Sequence, residues 1–569
     1  MSDRPPIART VVITRRKAAI CAAVLTLLFV FRLAYGLASM FWTDDEREVF
    51  VIGLRSYARR EWPFFGADIV WTNSQLPGAM QAMLVRVPLE AWSVPEAPFI
   101  LLNALSFGAL ALFAWYCRKR LPGLPAWFVW GTLFLLPWTL NFSTHIVNTS
   151  YILPGAIVFF VGFFEATPGL LIGVVPQALA WTMMGAALAF LAQIHMSWVL
   201  LPPYVVLAAV ATWRKEGRAP VRAAAAFAVG AAATGSLLLP TLLWYGVSAG
   251  AVGNNVNIHL QPPQEIATIA ARFLSFPAFD INRFIGLDRA DRLLFLRREP
   301  WVVPFALILL VAGLVQPVLM AVLWFRRGDH AWTRIKWLSL STVLWIYGSF
   351  FFSVRGPLAH AFYVVFPIAA LYAFYGWRWL AGLRLWQIAR AVLVSSVILH
   401  LGVIVWQLPR RSLYRDRALA QAAIDARNDR FLGDRRDSLV EQVDHHARPI
   451  DGVDPDAYES ARPLDDLNLV RADWSPLIRG RVSRFAVTIE NRGRHAAYLN
   501  IGFTTKYRDN GGRVVAERRG LIREILEPGV RRAWPDVTDG MVPPGAVSAE
   551  LALADAEKAI PVTAQRRSH

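Results

Sequence analysis

Residues 15–50 read "RRKAAICAAVLTLLFVFRLAYGLASMFWTDDEREVF". Three basic residues open the stretch, an apolar run fills 18–40, and Asp44, Asp45 and Glu46 follow at once. An apolar segment of that length crosses about 30 Å of hydrocarbon as a helix. Cations before it place its start in the cytoplasm. The run is too long for a signal-peptide core and has no clear small-residue cleavage site, so it is read as a retained first span.

Similar runs recur at 98–117, 124–141, 151–166, 171–192, 196–213, 222–246, 301–324, 337–354, 361–378 and 385–407, giving about eleven spans. Arg118–Arg120, Arg214, Lys215, Arg218, Arg326, Arg327, Arg334, Lys336, Arg378 and Arg384 all fall in the inner loops of that scheme. The short outer turns near 142–150 and 193–196 carry no Lys or Arg, as the positive-inside rule requires. The inner turn "FEATPG" breaks the pattern with Glu165.

Composition agrees. The chain has 569 residues, 55% of them hydrophobic, and a mean hydropathy of +0.39. The formal charge of +18 suits headgroup contact; no basic stripe interleaved with aromatics points to nucleic acid. Two cysteines, Cys21 and Cys117, exclude a disulfide framework or a Cys-rich zinc site.

The expected organisation is a polytopic α-helical membrane protein with a C-terminal extracytoplasmic β-sandwich domain. Residues 1–17 form a cytoplasmic tail and 18–407 the transmembrane domain, with amphipathic outer loops at 41–97 and 247–300. Residues 408–480 are a polar connector with a helical opening, "RDRALAQAAIDARNDRFL". From 481 to 569 the pattern alternates ("RFAVTIE", "AAYLNIGFTT", "GRVVAER") with turns at "NRGR" and "RDNGG".

The acidic cluster has two readings. Thr43 and Glu46 have capping-box spacing, and acids in a first turn suit the helix dipole. Alternatively, a carboxylate just outside the bilayer acts as general base toward an acceptor hydroxyl, or balances charge on an anomeric carbon.

The stretch "DDEREVFVIGLRSYARREWPFFGADIVWTNSQLPGAM" resembles the first outer loop of the GT-C superfamily of membrane glycosyltransferases, which includes protein O-mannosyltransferases and lipid A aminoarabinose transferases. In that superfamily an acidic pair opens the loop. The resemblance implies a GT-C-like fold over 18–407 and transfer of a sugar from a polyprenyl-phosphate carrier to an envelope glycan, lipid or protein on the outer side of a bacterial inner membrane. Asp45 and Glu46 match the acidic pair, with Asp44 beside them; Asp45 is the expected catalytic carboxylate. The chain departs from the aminoarabinose transferases at "SQLPGAM", which lacks their basic residue and double proline.

Arg355, His360 and Tyr363, in "SVRGPLAHAFYVVFPIAALY", are expected at an outer mouth, where an arginine can hold a leaving phosphate through two parallel bonds. His195 in "AQIHMSWVLLPP" and Arg298 at the end of the second outer loop are further candidates for sugar or phosphate contact. For each there is a plainer alternative: a helix-end histidine, or an interfacial anchor. His145 is a polar residue of an outer turn with no assigned role. No metal signature occurs, although the three carboxylates are suited to a divalent metal ion held with a substrate phosphate.

Two other classes compete. A transporter or flippase predicts charges at mid-bilayer and broken helices in paired repeats; Arg32 and Arg390 are the main charges within the spans. A mere anchor for the β-domain needs only one span.

Overall fold

The computed structural model describes residues 15–39, 44–69, 74–217, 219–246, 260–275, 285–286, 289–352, 363–380, 385–409, 413, 417–425, 427, 447–449, 460–476, 482–559 and 562–564. Among these, eight helices are long and apolar enough to cross a membrane. The molecule is a polytopic membrane protein with a C-terminal β-domain.

Each expected span that can be compared contains a helix. In chain order the helices are α1 (Arg15–Ser39), α2 (Asp44–Arg59), α3 (Met80–Ala91), α4 (Ala97–Arg120), α5 (Ala126–Leu135), α6 (Pro137–Thr144), α7 (Ile152–Ala166), α8 (Gln177–Ala192), α9 (Pro202–Glu216), α10 (Val221–Gly235) and α11 (Leu239–Tyr245). Then come α12 (Gln264–Ser275), α13 (Arg289–Arg298), α14 (Val303–Trp324), α15 (His330–Ser349), α16 (Phe366–Leu380), α17 (Leu385–Gln407) and α18 (Arg417–Asp425). α7 and α16 are buried along almost their whole length and form the centre of the bundle.

Three expected spans hold only shorter helices. The 124–141 segment is broken between α5 and α6, because Leu136 is extended and Pro137 brings no N–H. α8 starts only after Pro176. α16 begins at Phe366; the chain just before it, 353–362, lies outside the described residues.

The odd acid of the inner turn is explained here. The buried Glu165 carboxylate accepts N–H groups from Ile172 (3.0 Å), Gly173 (2.8 Å) and Val174 (2.9 Å), and the Tyr116 hydroxyl at 2.9 Å. It ties an open turn together and adds no exposed negative charge. Arg120, which also donates to the Tyr116 hydroxyl, stands beside it.

Small residues set the tightest helix crossing. A Cβ on Gly185 of α8 would lie 2.0 Å from the Phe227 carbonyl oxygen of α10, and one on Gly230 would lie 2.0 Å from the Thr182 carbonyl oxygen. With lipid as apolar as any side chain, close backbone approach of this kind is what joins helices in a bilayer. Thr234 adds a hydroxyl bond to the Ala186 carbonyl at 2.7 Å.

The first outer loop was expected to hold amphipathic segments. It contains α2 and α3, with a small antiparallel hairpin between them, β1 (Phe65–Ile69) and β2 (Ser74–Pro77).

Beyond a short antiparallel pairing of β3 (Ala447–Pro449) with β10 (Val562–Ala564), the C-terminal domain has two antiparallel three-stranded sheets. One orders β4 (Leu467–Trp474), β5 (Val482–Asn491) and β8 (Arg531–Met541); the other orders β7 (Val514–Ile522), β6 (Ala497–Arg508) and β9 (Ser548–Ala559). Alternate residues of both, including Phe485, Val487, Ile489, Ile501, Phe503 and Leu551, share one core, so the sheets form a sandwich. β4 lies within the stretch assigned to the connector; its charged outward positions, Arg471 and Asp473, masked the alternation.

Candidate active site

Asp44, Asp45 and Glu46 occupy the first turn of α2, five to seven residues after α1 ends at Ser39. Thr43, the partner in the capping-box reading, lies outside the described residues, as do Arg355 and His360. α2 is amphipathic because Val49, Phe50, Leu54 and Tyr57 recur at helical spacing, and all four are buried. It crosses α3 closely at Gly53, where a Cβ would lie 2.3 Å from the Val85 Cβ.

Charged contacts fix the exposed side of this pair. Arg86 of α3 donates to the Ser56 hydroxyl at 3.1 Å and to the Glu61 carbonyl at 2.7 Å. Arg427, just beyond α18, makes two bonds to the Glu90 carboxylate, at 2.6 and 2.9 Å, and lies 4.1 Å over the Tyr57 ring. Bonding to Arg427, against a smaller opposing effect of burial, holds the Glu90 carboxyl below its ordinary value. Arg417 pairs with both oxygens of Glu96, and the Gln421 amide donates to the Ser93 carbonyl at 3.0 Å. From the sandwich, Arg523 reaches Glu48 of α2 at 3.2 Å.

Beneath the α1–α2 junction lies a buried polar cluster that sequence reasoning saw only in part. Ser39 meets His145 Nε2 at 2.9 Å, and Tyr35 donates to Asn141 Oδ1 at 2.7 Å. The Tyr35 ring stacks on His145 and meets His400 edge-on at 4.9 Å. Deeper in α1, Arg32 donates to the carbonyls of Phe134 (2.7 Å) and Thr139 (3.1 Å) and to Ser143. The signal available in the sequence was the set of polar residues in apolar runs: Arg32, Tyr35, Asn141 and His400.

The other predicted residues are not gathered beside α2 by any described contact. Tyr363 is fully buried against Trp138 and Phe142, and its hydroxyl donates to the Trp138 carbonyl at 3.4 Å. It was expected at an open mouth; instead it packs on α6, the element that also receives Arg32. His195 Nδ1 accepts the Ser197 N–H at 3.1 Å and caps the short 3-10 helix Met196–Leu200, the helix-end alternative. Arg298 is exposed in the last turn of α13. Among the described residues no group of three His, Cys, Asp or Glu is placed to hold a metal ion. Two cavities, of about 160 and 440 Å³, lie between spans, and among the described residues none of Tyr363, His195 and Arg298 lines either.

No family model matches the sequence, and no curated protein matches it. Three solved structures overlap it in part. ArnT from Cupriavidus metallidurans bound to undecaprenyl phosphate aligns with TM-score 0.40 and 13% identity, over 75% of this chain and 74% of that one. The same protein in the apo state gives 0.42 and 14%, over 75% and 78%. The arabinosyltransferase EmbB from Mycobacterium smegmatis gives 0.31 and 12%, over 99% and 66%. With every TM-score below 0.5, the functional reading rests on the residues of this chain.

Proposed function

We propose that this protein is a GT-C-type membrane glycosyltransferase that moves a sugar from a polyprenyl-phosphate carrier to an extracytoplasmic acceptor. The observation that carries the reading is the start of α2: three carboxylates in the first turn of an amphipathic helix that directly follows the first span. A helix so placed lies at the bilayer surface, where the head of a lipid-borne donor is found.

In this reading Asp45 takes the proton of the acceptor hydroxyl, and the hydroxyl oxygen forms a bond to the anomeric carbon. The bond from that carbon to the carrier phosphate breaks, its electron pair leaves with the phosphate, and the anomeric configuration inverts. Asp44 and Glu46 assist at the same turn. Arg355, assisted by His360 or Tyr363, holds the departing phosphate; His195 and Arg298 are secondary candidates for donor contact. The acceptor is an envelope glycan, lipid or protein. The protein sits in a bacterial inner membrane with its N-terminus cytoplasmic and α2 and the sandwich outside, which puts Arg118–Arg120 and the other loop cations inside. A divalent ion at the carboxylates is compatible with their chemistry and is assigned no step.

The rival transport reading predicts charges at mid-bilayer, of which Arg32 and Arg390 are the main ones, and broken helices in paired repeats. Arg32 is bonded to carbonyls on either side of the α5–α6 break, so the charge and the break account for each other structurally.

The test is mass spectrometry of envelope lipids and glycans from cells with and without the gene. Loss of one sugar, restored by the wild-type chain, supports the reading. An unchanged envelope contradicts it and turns the question to transport.

A further inference from the structure

We propose that Arg427 and Arg523, both downstream of the last span, are positioning residues that hold the two ends of α2 and so set where its acidic first turn sits. The functional half of this inference rests on the transferase reading above.

The two arginines reach α2 from different elements. Arg523 follows β7 of the sandwich and pairs with Glu48 at 3.2 Å. Glu48 is four residues from Asp44 and three from Asp45, so that contact lies within one helical turn of the carboxylates. Arg427 follows α18 and lies 4.1 Å over the ring of Tyr57, near the other end of α2. The same guanidinium grips Glu90 of α3 through two bonds, at 2.6 and 2.9 Å. Bidentate pairing fixes orientation as well as distance, which a single point charge does not. The Tyr57 hydroxyl in turn meets the Ser93 hydroxyl at 3.1 Å, and Gln421 of α18 bonds the Ser93 carbonyl. The grip thus spans α2, the end of α3 and the chain beyond it.

Glu48 and Arg427 are little exposed, at 12% of side-chain area each. Their partners Glu90 and Arg523 are exposed at 37% and 45%, so solvent screens each pair in part and neither contact alone is strong. A site carried on a helix outside the lipid needs such support, because displacement of a reacting group by about 1 Å can cost a hundredfold in rate. The C-terminal region supplies that support from sequence far beyond the spans.

The experiment uses the full chain in nanodiscs for hydrogen exchange, and complemented cells for envelope sugar, at matched abundance. The double variant Arg427→Ala, Arg523→Ala is expected to speed exchange of the 44–59 peptide roughly five- to tenfold, as loss of a modest stabilising contact would. It is also expected to lower sugar incorporation. Arg427→Lys keeps the charge without the paired bonds and is expected to fall between. Asp45→Asn is the control: exchange like wild type, sugar lost.

Unchanged exchange in the double variant overturns the grip. Faster exchange with full sugar incorporation overturns the positioning role. If the double variant proves too scarce, Arg523→Ala alone is read by the same two measurements. Should wild type itself add no sugar, the transferase reading falls, while exchange still decides whether the arginines hold α2.

Discussion

Arg32, buried in the first span, donates to the carbonyl oxygen of Phe134 at 2.7 Å, the next-to-last residue of α5 before the α5–α6 break. Carbonyls at a helix end lack intrahelical donors, and in lipid no water replaces them. Arg32 satisfies Phe134 and Thr139, and Ser396 supplies Leu135. Arg32→Leu strands the buried Phe134 carbonyl at about 1–3 kcal/mol, whereas Thr139 keeps the Ser143 hydroxyl, and removal of a buried charge offsets part of that cost. Its melting temperature in detergent is expected to fall clearly, with Arg32→Lys recovering only part. Wild-type melting of Arg32→Leu would show that the break is satisfied in another way.

Gly230→Ala tests the α8–α10 crossing. The added Cβ would meet the Thr182 carbonyl oxygen at 2.0 Å, and backbone cannot yield as a side chain can. Overpacking of this kind costs roughly 1–3 kcal/mol. Thermal unfolding of the variant should show it, whereas Gly108→Ala, with open space around the same atom, should be silent.

The Glu90–Arg427 pair gives a signed pH dependence. Arg427 holds the Glu90 carboxyl below its ordinary 4.5. A carboxyl lowered in the folded state contributes stability that is present above its unfolded value and is lost as pH falls through the folded one. The stability gap between wild type and Glu90→Gln should therefore be constant from pH 6 to 8 and shrink in acid below about 4.5. For a partly exposed pair the gap should be under about 1 kcal/mol. A gap that widens in acid would contradict the pairing.

Phe503 fills the sandwich core and covers Gly520 on the neighbouring strand, where a Cβ would lie 2.2 Å from its ring. Phe503→Ala should cost about 3–5 kcal/mol in the β-domain. Protease cleavage within 482–559 of the full chain, followed over time, would show the loss.

The bilayer made much of this fold legible. A span must be long, apolar and helical, so runs such as 301–324 and 385–407 coincide with α14 and α17 almost end to end. Alternation disclosed β5 and β6 for a similar reason: one face of each meets a core. Pro137 was visible, yet the segment read as one helix because hydropathy does not register a break whose carbonyls are satisfied from α1. The helix of α18 was readable, but its docking was not. Glu90 and Arg427 are 337 residues apart, and no local pattern joins them. The acidic turn of α2 was legible from its place after a span. Tyr35, Asn141 and His400 were not, because they come from three segments and become a cluster only when the bundle closes.

The central claim is that the first turn of α2 does chemistry. The most direct measurement is envelope mass spectrometry on cells lacking the gene and complemented with Asp45→Asn at wild-type abundance. The account predicts that the sugar restored by wild type stays missing with Asp45→Asn. Full restoration by Asp45→Asn would contradict it and leave Asp45 as no more than part of a helix start.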